Sequence, residues 1–231
     1  MSFMFFELFR SPFTLTFMNL PAVKPFSNVE YRQTKIVLSS FLSAFLISGI
    51  YFQWLKLISG GFSRMDEVID LLFYLIIFVI GIFTLTKPKL FSLSIGKAAS
   101  VLMVFLSVFY AFDIFLFVFF RISTYRVLGD FTPIILQIFN ILIYSTFIFS
   151  LNIKIPIKIL WVLCDIYFII RGLLGSKLNL AFSQYFYTDL NSYDYLYYKI
   201  LHLTYLFTYP YLVCLAIALI LSLTSGIKKS I

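Results

Sequence analysis

Six long apolar runs decide what this chain can become. A helix that crosses a bilayer needs about 20 largely apolar residues, because the hydrocarbon core is about 30 Å thick and each helical residue rises about 1.5 Å. Runs over residues 36–57, 68–86, 98–120, 132–151, 155–170 and 200–224 meet or approach that length. The fifth is the weakest, because Lys154 and Lys158 at its start have to extend their ammonium groups to the membrane surface. The sequence therefore predicts an all-α fold, a polytopic integral membrane helix bundle of about six transmembrane helices.

Composition agrees with the runs. Of 231 residues, 61% are hydrophobic and only 12% are charged, whereas about a quarter of a soluble domain's residues are charged. The 30 Phe and 16 Tyr suit an AT-rich or organellar genome that fills lipid-facing positions with whatever apolar codon is at hand. No internal repeat or low-complexity linker divides the chain, so residues 36–231 are expected to form a single bundle.

Ahead of the first run, residues 1–35 hold Phe3, Phe5, Phe6, Phe9 and Phe13 around Glu7 and Arg10, interrupted by Pro12 and Pro21. This stretch is too charged and too broken to span, and an interfacial, amphipathic segment is expected. It lacks the basic start of a signal peptide and the Arg/Ser-rich character of a transit peptide, so it is expected to stay on the mature chain. The connection before the last run is dense in tyrosine, with Tyr185, Tyr187, Tyr193, Tyr195, Tyr197 and Tyr198, and is expected to lie against the membrane surface, where Tyr is favoured.

Charge placement predicts an orientation. With six spans, one side collects Arg10, Lys24, Arg32, Lys35, Lys87, Lys89, Lys97, Lys154, Lys158, Lys228 and Lys229. The other collects Lys56, Arg64, Arg121, Arg126, Arg171, Lys177 and Lys199. The positive-inside rule places both termini on the cytoplasmic side, or the matrix side for an organelle-encoded chain. The net charge of +8 is scattered between apolar runs, which speaks against a nucleic-acid partner and for membrane lipids.

Ionisable residues inside the runs are the natural functional candidates, since charging them in lipid is costly. Asp113 and Asp165 lie within the third and fifth runs. Gln137, Asn140 and Tyr144 share one face of the fourth helix, and His202, Tyr205 and Tyr209 share one face of the sixth. These stripes have two readings: interhelical hydrogen bonds that fix packing, or a polar path for a proton, ion or small solute between Asp113 and Asp165. Packing is preferred, because polar contacts of this kind are common in membrane bundles.

Other chemistries find little support. A lone histidine, His202, rules out bis-histidine haem, histidine boxes and HExxH zinc sites. No span carries a central Lys, Glu or Arg of the kind expected in a principal proton pump. There is no P-loop, GxSxG elbow or GxGxxG after a strand, so no catalytic, cofactor or metal residue is assigned and no enzyme is expected. Cys164 and Cys214 sit inside apolar runs and read as packing residues. Ser40, Ala44 and Ser48, and Ser92, Gly96 and Ser100, form small-residue faces that let helix backbones approach closely.

The expected function is a non-catalytic accessory or scaffold subunit, or assembly factor, whose helices pack against other membrane proteins. The alternative is a small transporter or channel using Asp113 and Asp165. The tail KKSI, with Lys228 and Lys229, resembles a dilysine retrieval signal, which implies the endoplasmic reticulum. An organelle-encoded origin implies the mitochondrial inner membrane instead.

Overall fold

The computed structural model describes residues 28–51, 64–120, 132–175 and 190–224. They form six α-helices: α1 (Asn28–Ile50), α2 (Arg64–Thr86), α3 (Ile95–Phe120), α4 (Thr132–Ser150), α5 (Ile155–Gly175) and α6 (Leu190–Thr224). A short 3-10 turn (Pro88–Leu90) follows α2. Among the described residues there is no strand beyond one isolated bridge, and the chain is an all-helical membrane bundle.

Among the described residues, four helices are long and apolar enough to cross a membrane, over Asn28–Ile50, Glu67–Thr86, Ile95–Phe120 and Leu206–Thr224. The apolar stretch described in α4, Ile135–Ser150, is shorter, and α5 carries Lys158, Asp165 and Arg171. At about 1.5 Å per residue, the full lengths of α4 and α5 still rise about 28 and 32 Å, which matches the hydrocarbon core. Helices adjacent in sequence pack against each other, and α6 returns to α1, so the six close into a ring.

Helix α3 explains how such a sequence sorts its faces. Its buried side is Gly96, Ala99, Ser100, Met103, Leu106, Ser107, Tyr110 and Asp113, recurring at helical spacing. Its opposite side exposes Val101, Phe105, Val108, Phe112, Phe115 and Phe119. Its small and polar residues point inward, joined by Met103 and Leu106, while its other bulky apolar residues face outward, the arrangement that lipid favours, since large side chains gain nothing by leaving hydrocarbon. Buried hydroxyls are tolerated because they bond back to their own helix: Thr84 to the Ile80 carbonyl at 2.9 Å, Ser100 to Gly96 at 3.0 Å and Ser107 to Met103 at 2.8 Å.

Close approach between α2 and α3 follows from the same small residues. Thr84 and Ser100 share a hydrogen bond of 2.9 Å between helices, and a Cβ on Gly81 would lie 3.3 Å from the Ser100 carbonyl oxygen.

One end of the bundle gathers the start of α1, both short connections and the end of α6. The α2–α3 and α4–α5 connections pair through an antiparallel bridge between Phe91 and Leu151. Ser92 N–H donates to the Ser150 carbonyl at 2.7 Å, and Asn152 N–H donates to the Leu90 carbonyl at 3.2 Å. Lys89 pairs with Glu30 at 3.7 Å, and Lys35 Nζ donates to the Leu223 carbonyl. The second and fourth connections therefore share an end with the start of α1 and the end of α6, as the six-span alternation requires.

The two largest boundary differences from expectation are at the starts of α1 and α6. Helix α1 begins at Asn28, inside the stretch expected to lie on the membrane, because Asn28–Lys35 is polar yet holds no Gly or Pro to stop a helix. The phenylalanine-rich part of that stretch, within residues 1–27, lies outside the described residues. Helix α6 begins at Leu190, so the second half of the tyrosine-rich connection is helical; it too has no breaker before Pro210. By contrast, α2 ends at Thr86, just before the Lys87–Pro88 pair, where proline disfavours helix in the residue before it.

A Cβ on Gly96 would collide with the Phe91 ring and come within 2.7 Å of Ser150 Cβ. Gly96→Ala is expected to destabilise the bundle by about 1–3 kcal/mol through overpacking. Ala98→Val, two residues on and exposed, should stay within about 0.5 kcal/mol of the parent. Denaturant unfolding in neutral detergent measures both.

Candidate functional site: the polar seam of α3, α4 and α5

The interior of the ring is filled by aromatic rings. Phe41 on α1 is fully buried and lies 5.8 Å from Tyr144, 5.3 Å from Phe147 and 5.4 Å from Trp161, measured between ring centroids. Phe45, one turn later, meets Phe73, Tyr144 and Trp161 edge to face at 5.0–5.3 Å. These rings from α1, α2, α4 and α5 occupy the space that a wider bundle would leave open, and edge-to-face geometry is the arrangement their quadrupoles favour.

Polar side chains line the seams around this plug. On the α4–α5 seam, Trp161 Nε1 donates to Ser145 Oγ at 3.1 Å, and Ser145 Oγ in turn donates to Asp165 Oδ2. Trp161 and Asp165 are one turn apart on α5, so a single hydroxyl on α4 serves both. On the α3–α4 seam, Asn140 Nδ2 donates to the Tyr110 hydroxyl at 2.8 Å. Tyr110 also stacks on Tyr74 of α2, with centroids 4.5 Å apart and planes within 10°, so one tyrosine ties three helices.

Asp113 is buried on the inner face of α3, one turn beyond Tyr110. It lies 18 positions from the start of α3, about 27 Å at 1.5 Å per residue, whereas Asp165 lies 10 positions from the start of α5, about 15 Å. Both helices start at the same end of the bundle, so the two carboxyls sit on different helices at different depths. The cleft at that end, lined by Tyr31, Lys35 and Asn152 among others, touches neither.

Gln137 and Asn140 are half-buried and Tyr144 is buried. Asn140 Oδ1 and the Tyr144 hydroxyl are buried without a hydrogen-bond partner among the described residues. On α6, Tyr209 is half-exposed; His202 and Tyr205 fall where only the backbone is described, and Lys228 and Lys229 fall outside the described residues. Cys164 is buried and its thiol faces the Tyr211 carbonyl at 3.8 Å, while Cys214 is half-buried; neither forms a disulfide. Among the described residues no three of His, Cys, Asp and Glu form a group able to hold a metal ion.

Ser145, Trp161, Tyr74 and Tyr110 were not singled out from the sequence. A serine and a tryptophan in an apolar run carry no signal of their own; only the rotation of α4 against α5 brings Ser145 to both Trp161 and Asp165.

Ser145→Ala strands both the Trp161 N–H and the Asp165 carboxyl, and a loss of about 1–3 kcal/mol is expected. Asp165→Asn keeps an acceptor oxygen for Ser145 and should cost less than about 1 kcal/mol. Thermal unfolding of the detergent-solubilised chain separates the two. No protein-family model matches the chain, and no curated protein or solved structure matches it.

Proposed function

We propose that this chain is a non-catalytic membrane component, an accessory or scaffold subunit or an assembly factor, that acts by packing its helices against other membrane proteins and lipid. The observation that supports this reading is the aromatic plug: Phe41, Phe45, Tyr144, Phe147 and Trp161 fill the axis along which a channel would run. The two aspartates sit on different helices at different depths, and Asp165 is held by Ser145 as an interhelical contact. Large exposed Phe, Leu, Ile and Val side chains cover the outer faces of the described helices, which gives both lipid and neighbouring spans a surface to meet.

Extraction in a gentle detergent followed by mass spectrometry of what co-purifies is the direct test. A stoichiometric set of membrane partners is expected. A lone, monodisperse chain would overturn the subunit reading in favour of transport.

A second reading, a small transporter, draws support from one observation: the Asn140 Oδ1 and Tyr144 hydroxyl, one turn apart on α4 and buried without partners among the described residues. Buried polar atoms of this kind are rare and ask for a polar occupant. Under the packing reading, Tyr144→Phe removes an unsatisfied hydroxyl and leaves stability unchanged or raised; under the transport reading it removes a contact to the solute and reduces uptake into proteoliposomes.

The membrane of residence is proposed on the tail. If KKSI is a retrieval signal, the chain resides in the endoplasmic reticulum with both ends cytosolic; otherwise an organellar inner membrane, the mitochondrial one, is the alternative. Replacing Lys228 and Lys229 by Ser and imaging the protein decides it, since an unchanged location would sink the retrieval proposal.

A further inference from the structure

The chain holds two cysteines, Cys164 on α5 and Cys214 on α6, and the fold brings them to one place. The start of α5 and the end of α6 lie at the same end of the bundle, where Ile157 and Ser222 line one cleft. Counted from that end, Cys164 lies 9 positions into α5 and Cys214 lies 10 positions into α6. At about 1.5 Å per residue these are depths of about 14 and 15 Å. The two thiols therefore share a level near the middle of a hydrocarbon core about 30 Å thick.

Their lateral placement agrees with their depth. Cys164 Sγ lies 3.8 Å from the carbonyl of Tyr211, one turn before Cys214 on α6. A helical side chain leans over the turn that precedes it, so the Cys214 thiol is carried back toward that same carbonyl. The two thiols are in hydrogen-bonding contact across the seam. Ring contacts hold the helices in register, Phe168 with Tyr211 at 6.0 Å and Tyr167 with Phe207 at 6.3 Å between centroids.

The two positions are not equivalent. Cys164 is 1% exposed, whereas Cys214 is only half-buried. A reagent arriving from outside the bundle meets Cys214 first, and whatever becomes attached to that sulfur stands against Cys164.

We propose that Cys164 and Cys214 are a thiol–disulfide pair that staples α5 to α6, with Cys214 as the entry thiol, Cys164 as the resolving thiol and a lipid-soluble organic disulfide as oxidant. In the first step the Cys214 sulfur bonds to one sulfur of the oxidant. The oxidant's S–S bond breaks, and its other half leaves as a thiol with the Cys214 proton. In the second step the Cys164 sulfur attacks the Cys214 sulfur, the mixed disulfide breaks, and the remaining half leaves as a thiol with the Cys164 proton. Two cysteines are oxidised to one disulfide while one disulfide is reduced to two thiols. The pair does not depend on whether the chain is a subunit or a transporter.

Dipyridyl disulfide, added to the full chain in neutral detergent, tests the pair. Its ring nitrogen takes up the thiol proton as pyridinethione leaves, so the thiolate that usually attacks does not have to form in hydrocarbon. The parent is expected to release two pyridinethiones per chain and to become a monomer that has lost two hydrogens and carries no pyridyl group by intact mass. Cys164→Ala should release one and keep one pyridyl group, and Cys214→Ala should release none in the time the parent needs. A parent that releases nothing, that keeps a pyridyl group on either cysteine, or that links only to a second chain would overturn the pair, whether or not the variants fold. Release from Cys214→Ala as fast as from the parent would overturn the assignment of Cys214 as the entry thiol.

Discussion

Every backbone N–H and C=O that enters hydrocarbon must find a partner inside the protein, because lipid offers none. Within the helices this is automatic, so the design problem moves to their ends and to their hydroxyl side chains. The structure meets it with local devices. Ser92 gives both its N–H and its hydroxyl to the Ser150 carbonyl at the end of α4, at 2.7 and 2.9 Å. Lys158 reaches back to Phe149 on that same helix, and Lys35 caps Leu223 on α6. Basic residues that read in the sequence as orientation signals thus also serve as C-terminal caps, a position where a cation meets the negative end of the helix dipole.

The fold was largely legible because apolar run length is a strong signal. All six expected runs correspond to helices, and the pairing of the two connections follows from counting crossings. Boundaries were less legible at Asn28 and Leu190. Composition says where a polar or tyrosine-rich stretch prefers to sit, but not whether it is helical there, and neither stretch carries a residue that breaks a helix. The seams were legible by half. Asp165 stands out as a carboxylate in an apolar run, and Asn140 and Tyr144 stand out by spacing; Ser145 and Tyr110, which hold two of them, do not. Partnership between helices depends on their mutual rotation, and no periodicity within one helix encodes that.

Aromatic abundance takes on two separate meanings once the helices are assembled. On α3, Phe105, Phe112, Phe115 and Phe119 face outward, where any bulky apolar residue would serve. Phe41, Phe147 and Trp161 are almost wholly buried, with the last two both against the Phe41 ring, where shape matters and a smaller residue would leave a void. The same abundance of aromatic residues that fills the lipid face thereby supplies the few rings that close the centre.

That centre imposes an order on biogenesis. Helix α1 leaves the ribosome first, but the rings that enclose Phe41 belong to α4 and α5, and the carbonyl that Lys35 caps lies 188 residues further along the chain. The first helix therefore meets Phe73 of α2 early but waits in the bilayer for the other rings of its inner face until α4 and α5 have been synthesised, and for its Lys35 contact until α6 is made. Closure of the ring is the last event of assembly, and a chain truncated before α6 keeps Tyr167 and Phe168 of α5 without the Phe207 and Tyr211 rings that meet them, the sort of surface by which membrane quality control recognises an unfinished protein.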